Sequence, residues 1–432
     1  MALLHEDSCI CASSQLDLFT VPGTQSSQEK SVYVEYYPKH GFRDGGPLVF
    51  DIENNGNYYT DLSDTRLYIK ARLFNSDDTV IAADVNIAPC NMLLHAMVHK
   101  LDVMVAKRSI TESQPYYPWK AAIETLLNFG QDAKTSQLQT IGYYKDSFAD
   151  QNNPGHGKRG QIVSGSRPFE LLGPLHVDLF FQQKYLINKV PINLKIVLNE
   201  PEFFLFSPNP PNNFKLKIEE ASIWLRHVAI SPDVELAHDA ALQRKNALYP
   251  VHRTDIEVYQ MGRGQRGITI SSPFQGRVPD KLVMVLLEND SIDGSYTNNP
   301  FMFKHFNITA VTITLDGDPV GATPLKTDFG YNLYMRAYHN LFNAVNKTYA
   351  DFGTDITYDD FAQGYSIFCF DLTPDGCGGA KSHFEIQRSG NLVVKLNFAD
   401  NVNETINVLL YADFEAVQEI TRDRELLTAH RP

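Results

Sequence analysis

Apolar and polar residues alternate at every second position in several segments of the chain. The longest of these is 66–74, and its apolar positions are Leu67, Ile69, Ala71 and Leu73. Because successive side chains of a β-strand point to opposite faces, this alternation predicts a half-buried strand. The segments 214–219, 392–398 and 406–412 repeat the pattern. Many short strands, interrupted by glycine, proline and asparagine, predict an all-β protein built as a sandwich or a barrel.

Three other segments have the spacing of a helix. They are 117–128, 232–246 and 331–346. In the first, Lys120 and Glu124 are four residues apart, a spacing that allows them to form an ion pair on one side of the helix. The second is preceded by Ser231, a predicted N-cap, and opens with proline at its first helical position. These helices lie between strands, so we interpret them as inserts in the loops of β-domains.

A repeat divides the chain into two similar parts. Residues 116–128 align without gaps to 331–343, at an offset of 215, with identical tyrosine, alanine, leucine and asparagine residues. Upstream, His95 and His305 each precede a predicted strand, at an offset of 210. An offset close to half of the 432 residues predicts two similar domains in tandem.

The composition along the chain predicts four segments. They are an N-terminal arm at 1–30, a first β-domain at 31–207, a proline-rich linker at 208–213 and a second β-domain at 214–432. The arm is rich in serine and glutamine, but it contains one apolar cluster of Leu16, Leu18 and Phe19. We interpret this cluster either as a segment packed on its own domain or as an assembly contact to a neighbouring subunit.

The charge and cysteine content disfavour several classes of protein. The net charge is −13, from 38 basic and 51 acidic residues, and tight direct binding of nucleic acid would need clustered lysine and arginine. The five cysteines are scattered and odd in number, which is not a disulfide framework and favours a reducing compartment. The longest aliphatic stretch, 282–287, is too short for a membrane span, and the N-terminus lacks a signal-peptide pattern. We therefore expect a soluble protein made in the cytosol.

The segment 262–267 matches the dinucleotide-binding fingerprint by its letters. That fingerprint functions only between a strand and a helix, where the helix N-terminus meets the phosphate groups. Here a second predicted strand, 268–271, follows directly, so we interpret the segment as a hairpin turn. Arg263 and Arg266 within it are candidate assembly contacts to an acidic neighbour.

The sequence predicts no catalytic, cofactor-binding or metal-ligating residue. His95 and His99 would share one face of a helix, but no third ligand follows at a useful spacing, so we expect structural histidines. Cys9 and Cys11 lie in the arm and are interpreted as incidental thiols. The segment 316–318 resembles the start of a calcium loop without its later ligands, and we interpret it as a tight turn. We therefore expect a protein that is not an enzyme.

Five segments, in order along the chain, resemble the double jelly-roll (hexon-type) major capsid proteins of adintoviruses and Maverick/Polinton-like elements. They are 16–22, 132–138, 173–182, 294–307 and 364–374. The resemblance extends from about residue 16 to near the C-terminus. It implies two tandem jelly-roll β-sandwiches with short helical inserts, which agrees with the internal repeat.

The same resemblance implies a structural role without a cofactor. It implies homotrimers, in which three chains with two similar domains each mimic sixfold symmetry and tile an icosahedral shell around double-stranded DNA. The implied partners are neighbouring capsomers, single jelly-roll penton subunits and minor or cement proteins. The implied location is the virion, after synthesis in the host cytoplasm and assembly in the host nucleus or cytoplasm.

Two other classes of protein remain open. A two-domain carbohydrate-binding β-sandwich of the lectin type is favoured by tyrosine-rich loops. The missing signal peptide and the missing disulfide framework disfavour it. A bicupin enzyme would need clustered histidines and a glutamate, and the sequence displays no such cluster.

Overall fold

The strands of the two halves were assigned from a computed structural model. It describes residues 5–9, 11, 13–41, 46–53, 56–83, 85–111, 115–148, 153–207, 213–376, 378 and 383–428. Strands in the first half of this described part are β1 Gln28–Tyr36, β2 Leu48–Ile52, β3 Tyr59–Asn75, β4 Ala88–Pro89, β5 Val98–Val105, β6 Arg108–Ser109, β7 Phe169–Pro174, β8 Ile192–Leu198, β9 Leu205–Phe206 and β10 Phe214–Ile230. Those in the second half are β11 Ala247–Met261, β12 Gly267–Ser271, β13 Lys281–Glu288, β14 Ile308–Leu315, β15 Asp318–Pro319, β16 Leu325–Lys326, β17 Phe368–Asp371, β18 Leu392–Phe398, β19 Ile406–Ile420 and β20 Leu426–Thr428.

The helices are short and lie in the loops between these strands. They are α1 Leu93–Ala96, α2 Tyr117–Asn128, α3 Gln131–Lys134, α4 Pro154–Val163, α5 Pro201–Phe204, α6 Pro232–Leu242, α7 Asn289–Asp293, α8 Met335–Asn343 and α9 Tyr358–Ala362. Among the described residues, none of them is long and apolar enough to cross a membrane. Because the sheets carry the architecture, the all-β prediction with helical inserts is confirmed.

Eight strands of the first half form a sandwich of two antiparallel sheets. Sheet A1 has the order β1–β10–β3–β7, and sheet B1 has the order β2–β8–β5–β6. The inner faces of the two sheets are apolar and contribute Leu67 and Ile69 from β3 and Phe50 and Leu194 from β2 and β8 to one buried core. Numbered along the chain without the short β4 and β9, the sheet orders are 1-8-3-6 and 2-7-4-5. This is the arrangement of a jelly roll.

The second half repeats this topology strand for strand. Sheet A2 has the order β11–β19–β13–β17, and sheet B2 has the order β12–β18–β14–β15. Leaving out the short β16 and β20, these orders are again 1-8-3-6 and 2-7-4-5. The helices of the internal repeat occupy equivalent places, since α2 and α8 each follow the hairpin of the fourth and fifth strands. The predicted double jelly roll is therefore confirmed.

The boundary between the two jelly rolls lies later in the chain than the sequence predicted. Strand β10 was expected to open the second domain, but it pairs with both β1 and β3, with Leu225 opposite Val34 and Ile223 opposite Leu67. It is the eighth strand of the first jelly roll, and the expected boundary at 208–213 is wrong. The proline-rich segment precedes this strand inside the first jelly roll, and its residues 208–212 lie outside the described part. The passage between the jelly rolls contains α6 instead.

Most of the predicted elements are present, with shifts at their ends. Helix α2 has the predicted bounds, whereas α6 ends at Leu242 and a turn leads from it to β11 at Ala247. The third helix begins at Met335 rather than at residue 331. It starts late because Asn332 has a left-handed φ of 56°, which a helix cannot accommodate. A short 3-10 turn, Phe329–Tyr331, precedes it.

Candidate functional site

The glycine-rich segment 262–267 forms a turn, as predicted, but not a hairpin. It leads from β11 in sheet A2 to β12 in sheet B2, so the two strands it joins do not pair with each other. The guanidinium of Arg266 donates to the carbonyl oxygens of Phe398, at 3.3 Å, and Ala399, at 2.6 Å. Arg263 is exposed. The role of both arginines as assembly contacts stays a prediction.

The apolar cluster of the arm lies on the surface. Leu16, Leu18 and Phe19 are 70%, 75% and 95% exposed, so the expected alternative of packing on the arm's own domain is not found. Leu16 closes a short 3-10 helix, Ser14–Leu16, without any buried residue. Exposure of three large apolar side chains within four residues is unfavourable in water. An assembly contact for this cluster stays a prediction.

The two histidines considered as a metal pair lie in different environments. His95 is buried in α1, with Nδ1 3.2 Å from the hydroxyl of Tyr117, and burial lowers the pKa of this imidazole well below its ordinary value. His99 lies on β5, where Nδ1 is 2.9 Å from Oδ1 of Asn199. Helix α1 ends at Ala96, so the two imidazoles do not share a helical face.

A buried ionic cluster lies on one side of α2. The ammonium of Lys120 is 3.3 Å from Oε1 of Glu124 and also pairs with Asp178, which begins a 3-10 helix, Asp178–Phe181. Burial alone would raise the pKa of Glu124, but Lys120 and a hydrogen bond of 2.5 Å to His176 lower it to about 2. Burial opposes the charge of Lys120 as well, yet Asp178 and Glu124 raise the pKa of its ammonium above the ordinary value. Each charge is stabilised by the others.

The second jelly roll completes this cluster. The hydroxyl of Tyr411 on β19 donates to Oε1 of Glu124 at 3.1 Å, and the backbone N–H of Thr254 on β11 donates to Oδ2 of Asp178 at 3.0 Å. A cavity of about 70 Å³ beside it is lined by residues of both jelly rolls, including Tyr117 and Ile256. Acid–base residue types are present, but each carboxylate is already bonded to several groups. The cluster therefore joins α2 to sheet A2.

A second buried ion pair in the first jelly roll accepts hydrogen bonds from the second jelly roll. The guanidinium of Arg159 donates to the carbonyl oxygen of Pro89 at 2.7 Å and pairs with the carboxylate of Asp146. From the second jelly roll, Asn299 donates to Oδ2 of Asp146 at 3.2 Å, and the hydroxyl of Tyr365 donates to its backbone oxygen at 2.9 Å. An ion pair in a low-dielectric interior is stable only when such additional hydrogen bonds are present.

Two buried lysines close the C-terminal end of α2. Lys134 Nζ donates to the carbonyl oxygens of Leu126, at 3.1 Å, and Thr354, at 2.5 Å. Lys347, from the second jelly roll, donates to the carbonyl oxygens of Leu127, at 2.8 Å, and Asn128, at 2.9 Å. The last carbonyls of a helix lack partners within it, and a cation there is favourable. Burial lowers the pKa of Lys134 to about 7 and that of Lys347 to about 8.

These three contact regions, which we call the junction, include residues from four of the five segments that carry the family resemblance. Lys134 lies in 132–138, His176 and Asp178 lie in 173–182, Asn299 lies in 294–307, and Tyr365 lies in 364–374. From the sequence alone, none of these segments could be assigned a contact. In these segments polar residues interrupt apolar stretches, which is a signal for buried polar contacts. The local sequence does not identify the partners of those residues.

A group of potential metal ligands lies on the surface of the second jelly roll. Ligand atoms of Asp375, His383 and Glu385 lie within 4.8 Å of one another. Nε2 of His383 is 3.1 Å from a carboxylate oxygen of each of the other two, and these bonds raise the pKa of the imidazole. Ion pairing of His383 with the two carboxylates accounts for the closeness of these three side chains.

The cysteines Cys9, Cys11, Cys90 and Cys369 are free thiols, and Cys377 lies outside the described residues.

Known proteins resemble this chain in sequence or in structure over nearly its whole length. No protein-family model matches it. An uncharacterized protein of Caenorhabditis elegans is 24% identical over 410 residues, which are 92% of this chain and 96% of that protein.

Several solved structures of viral proteins have a similar fold. They include a chain of the Sputnik virophage (TM-score 0.65, 12% identity, 99% of this chain and 94% of that one). A chain of the PBCV-1 virus capsid gives a TM-score of 0.61 at 10% identity, over 96% of this chain and all of that one. The mavirus major capsid protein gives 0.56 at 11% identity, over 99% and 96%. Together with the sheet order, these likenesses establish that the fold of this chain is a double jelly roll.

Proposed function

We propose that this protein is the major subunit of an icosahedral capsid of the adintovirus or Maverick/Polinton type. In this role it forms homotrimeric capsomers that tile a shell around a double-stranded DNA genome. The protein then resides in the virion and contacts neighbouring capsomers, penton subunits and minor or cement proteins. No bond-making chemistry is required of it.

The observation that carries this proposal is the junction between two jelly rolls of identical sheet order. Hydrogen bonds from the second jelly roll to buried ion pairs of the first hold the two sandwiches side by side, as the bonds of Tyr411 and Asn299 illustrate. A rigid pair of similar units gives a subunit that approximates one third of a hexagon. Three such subunits fill a near-hexagonal tile, which is the shape that a large closed shell needs.

The proposal also draws on the solved structures with this fold, which include a virus capsid and a major capsid protein. Obligate interfaces of this kind bury on the order of 2,000–5,000 Å². Contacts between capsomers are expected to be smaller and more polar, so that a shell can correct errors while it assembles.

The decisive experiment is electron microscopy of the purified full-length protein, combined with light scattering. We expect threefold particles at micromolar concentration and closed shells under assembly conditions. A strictly monomeric protein at that concentration, with no threefold particles in the images, would refute the proposal.

A further inference from the structure

The outer faces of the two A sheets differ in their surroundings. On sheet A2, the face that carries Tyr411 also carries Leu409 and Val283, and all three side chains are buried. The first jelly roll covers this face with α2 and the 3-10 helix Asp178–Phe181, as the bonds of Glu124 and Asp178 demonstrate. The central part of this face, outside the sandwich core of its own jelly roll, is therefore buried inside the chain.

The equivalent face of sheet A1 is not covered. It carries Tyr33 on β1 and Trp224 on β10, whose side chains are both exposed. Tyr37, directly after β1, is exposed as well. Aromatic residues on an open sheet face are typical of protein–protein interfaces.

The second jelly roll has its own copy of the helix that covers sheet A2. This copy, α8, has an exposed side. Helix α8 is the repeat of α2, and the gapless alignment places Met335 at the position of Lys120 and His339 at that of Glu124. Glu124 bonds Tyr411 of sheet A2, and Lys120 pairs with Glu124 and Asp178 beside it, whereas Met335 and His339 are exposed. Tyr331 and Leu333, just before α8, are also exposed large apolar residues.

Both uncovered surfaces carry charged side chains that have no ion pair among the described residues. The cations on the outer face of A1 all have carboxylate partners, but some share one. Arg66 pairs with Asp64 and Arg226 with Asp61, whereas Lys70 and Arg72 share Glu219, and Lys215 and Lys217 share Asp78. Glu35, Glu170 and Glu220 have no ion pair among the described residues. Beside α8, Lys326 and Arg336 line one groove and likewise lack an ion pair within the described part of the chain. Asp328, whose backbone pairs with that of Leu333, and Asp359, near Tyr334, also lack an ion pair among the described residues, so the α8 surface carries no net excess of cations. Glu35, Glu170 and Glu220 can still pair with Lys326 and Arg336 across a contact between copies.

We infer that the α8 surface (Tyr331, Leu333, Met335, Lys326 and Arg336) of one copy covers the A1 surface (Tyr33, Trp224, Glu35, Glu170 and Glu220) of a second copy. This contact between chains is equivalent to the packing of α2 on sheet A2 within one chain. This inference rests on the proposed function, because it specifies how the capsomer closes. The interface is heterologous, since each copy offers two different surfaces, and such interfaces form closed rings when their rotation permits.

The test uses two variants that each disable one surface. Leu333→Asp/Met335→Asp places charge on the α8 surface, and Tyr33→Asp/Trp224→Asp places it on the A1 surface. All four side chains are exposed, so each variant is expected to fold, which thermal melting verifies. By light scattering, each variant alone loses the trimer at concentrations where the unmodified protein is trimeric. Mixed together, they form 1:1 heterodimers, because one copy retains an intact A1 surface and the other an intact α8 surface.

The matched control is Val80→Asp, since Val80 is 62% exposed and Leu333 is 64% exposed. Val80 belongs to neither surface, and this variant is expected to remain trimeric. Trimers from either double variant would overturn the inference and leave the proposed function standing. Absence of heterodimers in the mixture would refute the pairing of these two surfaces in the same way. A monomeric unmodified protein would overturn both proposals.

Discussion

The strongest stability prediction concerns Glu124, the carboxylate at the centre of the junction. Its two oxygens bond Lys120 at 3.3 Å, His176 at 2.5 Å and Tyr411 at 3.1 Å. Glu124→Gln keeps the size of the side chain but removes its charge. Lys120 is then left with Asp178 alone in a buried site.

Two considerations give the size of the effect. Removing one partner of a buried ion pair costs roughly 3–5 kcal/mol, because the other charge loses its compensation. Independently, the surroundings lower the pKa of Glu124 from the ordinary 4.5 to about 2. At about 1.4 kcal/mol per pKa unit, that fall corresponds to about 3 kcal/mol. We therefore expect the variant to lose about 3 kcal/mol of its free energy of unfolding at pH 7.

The measurement is urea unfolding at a fixed protein concentration, followed by tryptophan fluorescence in a Trp224→Phe background. Trp119 then reports on the junction, because its indole N–H donates to the carbonyl oxygen of Pro300 in the second jelly roll at 3.1 Å. Glu29→Gln, at an exposed position of β1, is the control and should unfold at the same urea concentration as the unmodified protein. A loss below about 1 kcal/mol in Glu124→Gln would refute the compensation described for this site.

The pH dependence provides a second check on the same reasoning. A carboxylate with a lowered pKa in the folded state stabilises the protein above its unfolded pKa, near 4.5, and loses this contribution as the pH falls toward about 2. The difference between the unmodified protein and Glu124→Gln should therefore shrink across that interval. A difference that is independent of pH would assign the loss to packing rather than to charge.

Three further outcomes are expected. Deleting residues 1–26 should leave capsomers intact but reduce shell formation in electron micrographs, because the shell loses the roughly 1.5–3 kcal/mol that Leu18 and Phe19 would each gain by burial against a neighbouring subunit. Undiminished assembly would remove any role of the arm. With −13 charges per chain, the purified protein should not bind DNA at submicromolar concentration in a gel shift at physiological salt, and a retarded band would contradict this. Because the pKa of Lys134 is lowered to about 7 from 10.5, the unfolded state binds more protons between these values, so the free energy of unfolding should rise with pH there. Lys134→Met should weaken that rise, and an unchanged pH profile would count against it.

The sequence predicted those elements whose signal is local. Alternation identified the strands that contain 66–74 and 392–398, and helical spacing identified α2 with its observed bounds. The spacing of Lys120 and Glu124 correctly predicted an ion pair. Their burial was not predicted, because the covering sheet lies far away in the sequence.

The parts that sequence analysis missed depend on contacts between distant residues. The alternation in β10 identifies a strand but not its neighbours, so its membership in sheet A1 could not be inferred, and the nearby prolines suggested a boundary. For the same reason the partners of Lys134 and Lys347 across the junction were not found. Only the topology brings those groups together.

The position of β10 has a consequence for the order in which the chain folds during synthesis. This strand inserts between β1 and β3, so sheet A1 keeps a gap at its centre until residue 230 has left the ribosome. Until then, β1 and β3 present open edges, which are prone to pair with other chains. Domains generally fold as units while the chain emerges, and the first jelly roll becomes such a unit only after more than half of the protein has been translated. Premature termination anywhere before β10 would therefore yield an aggregation-prone fragment rather than a free jelly roll.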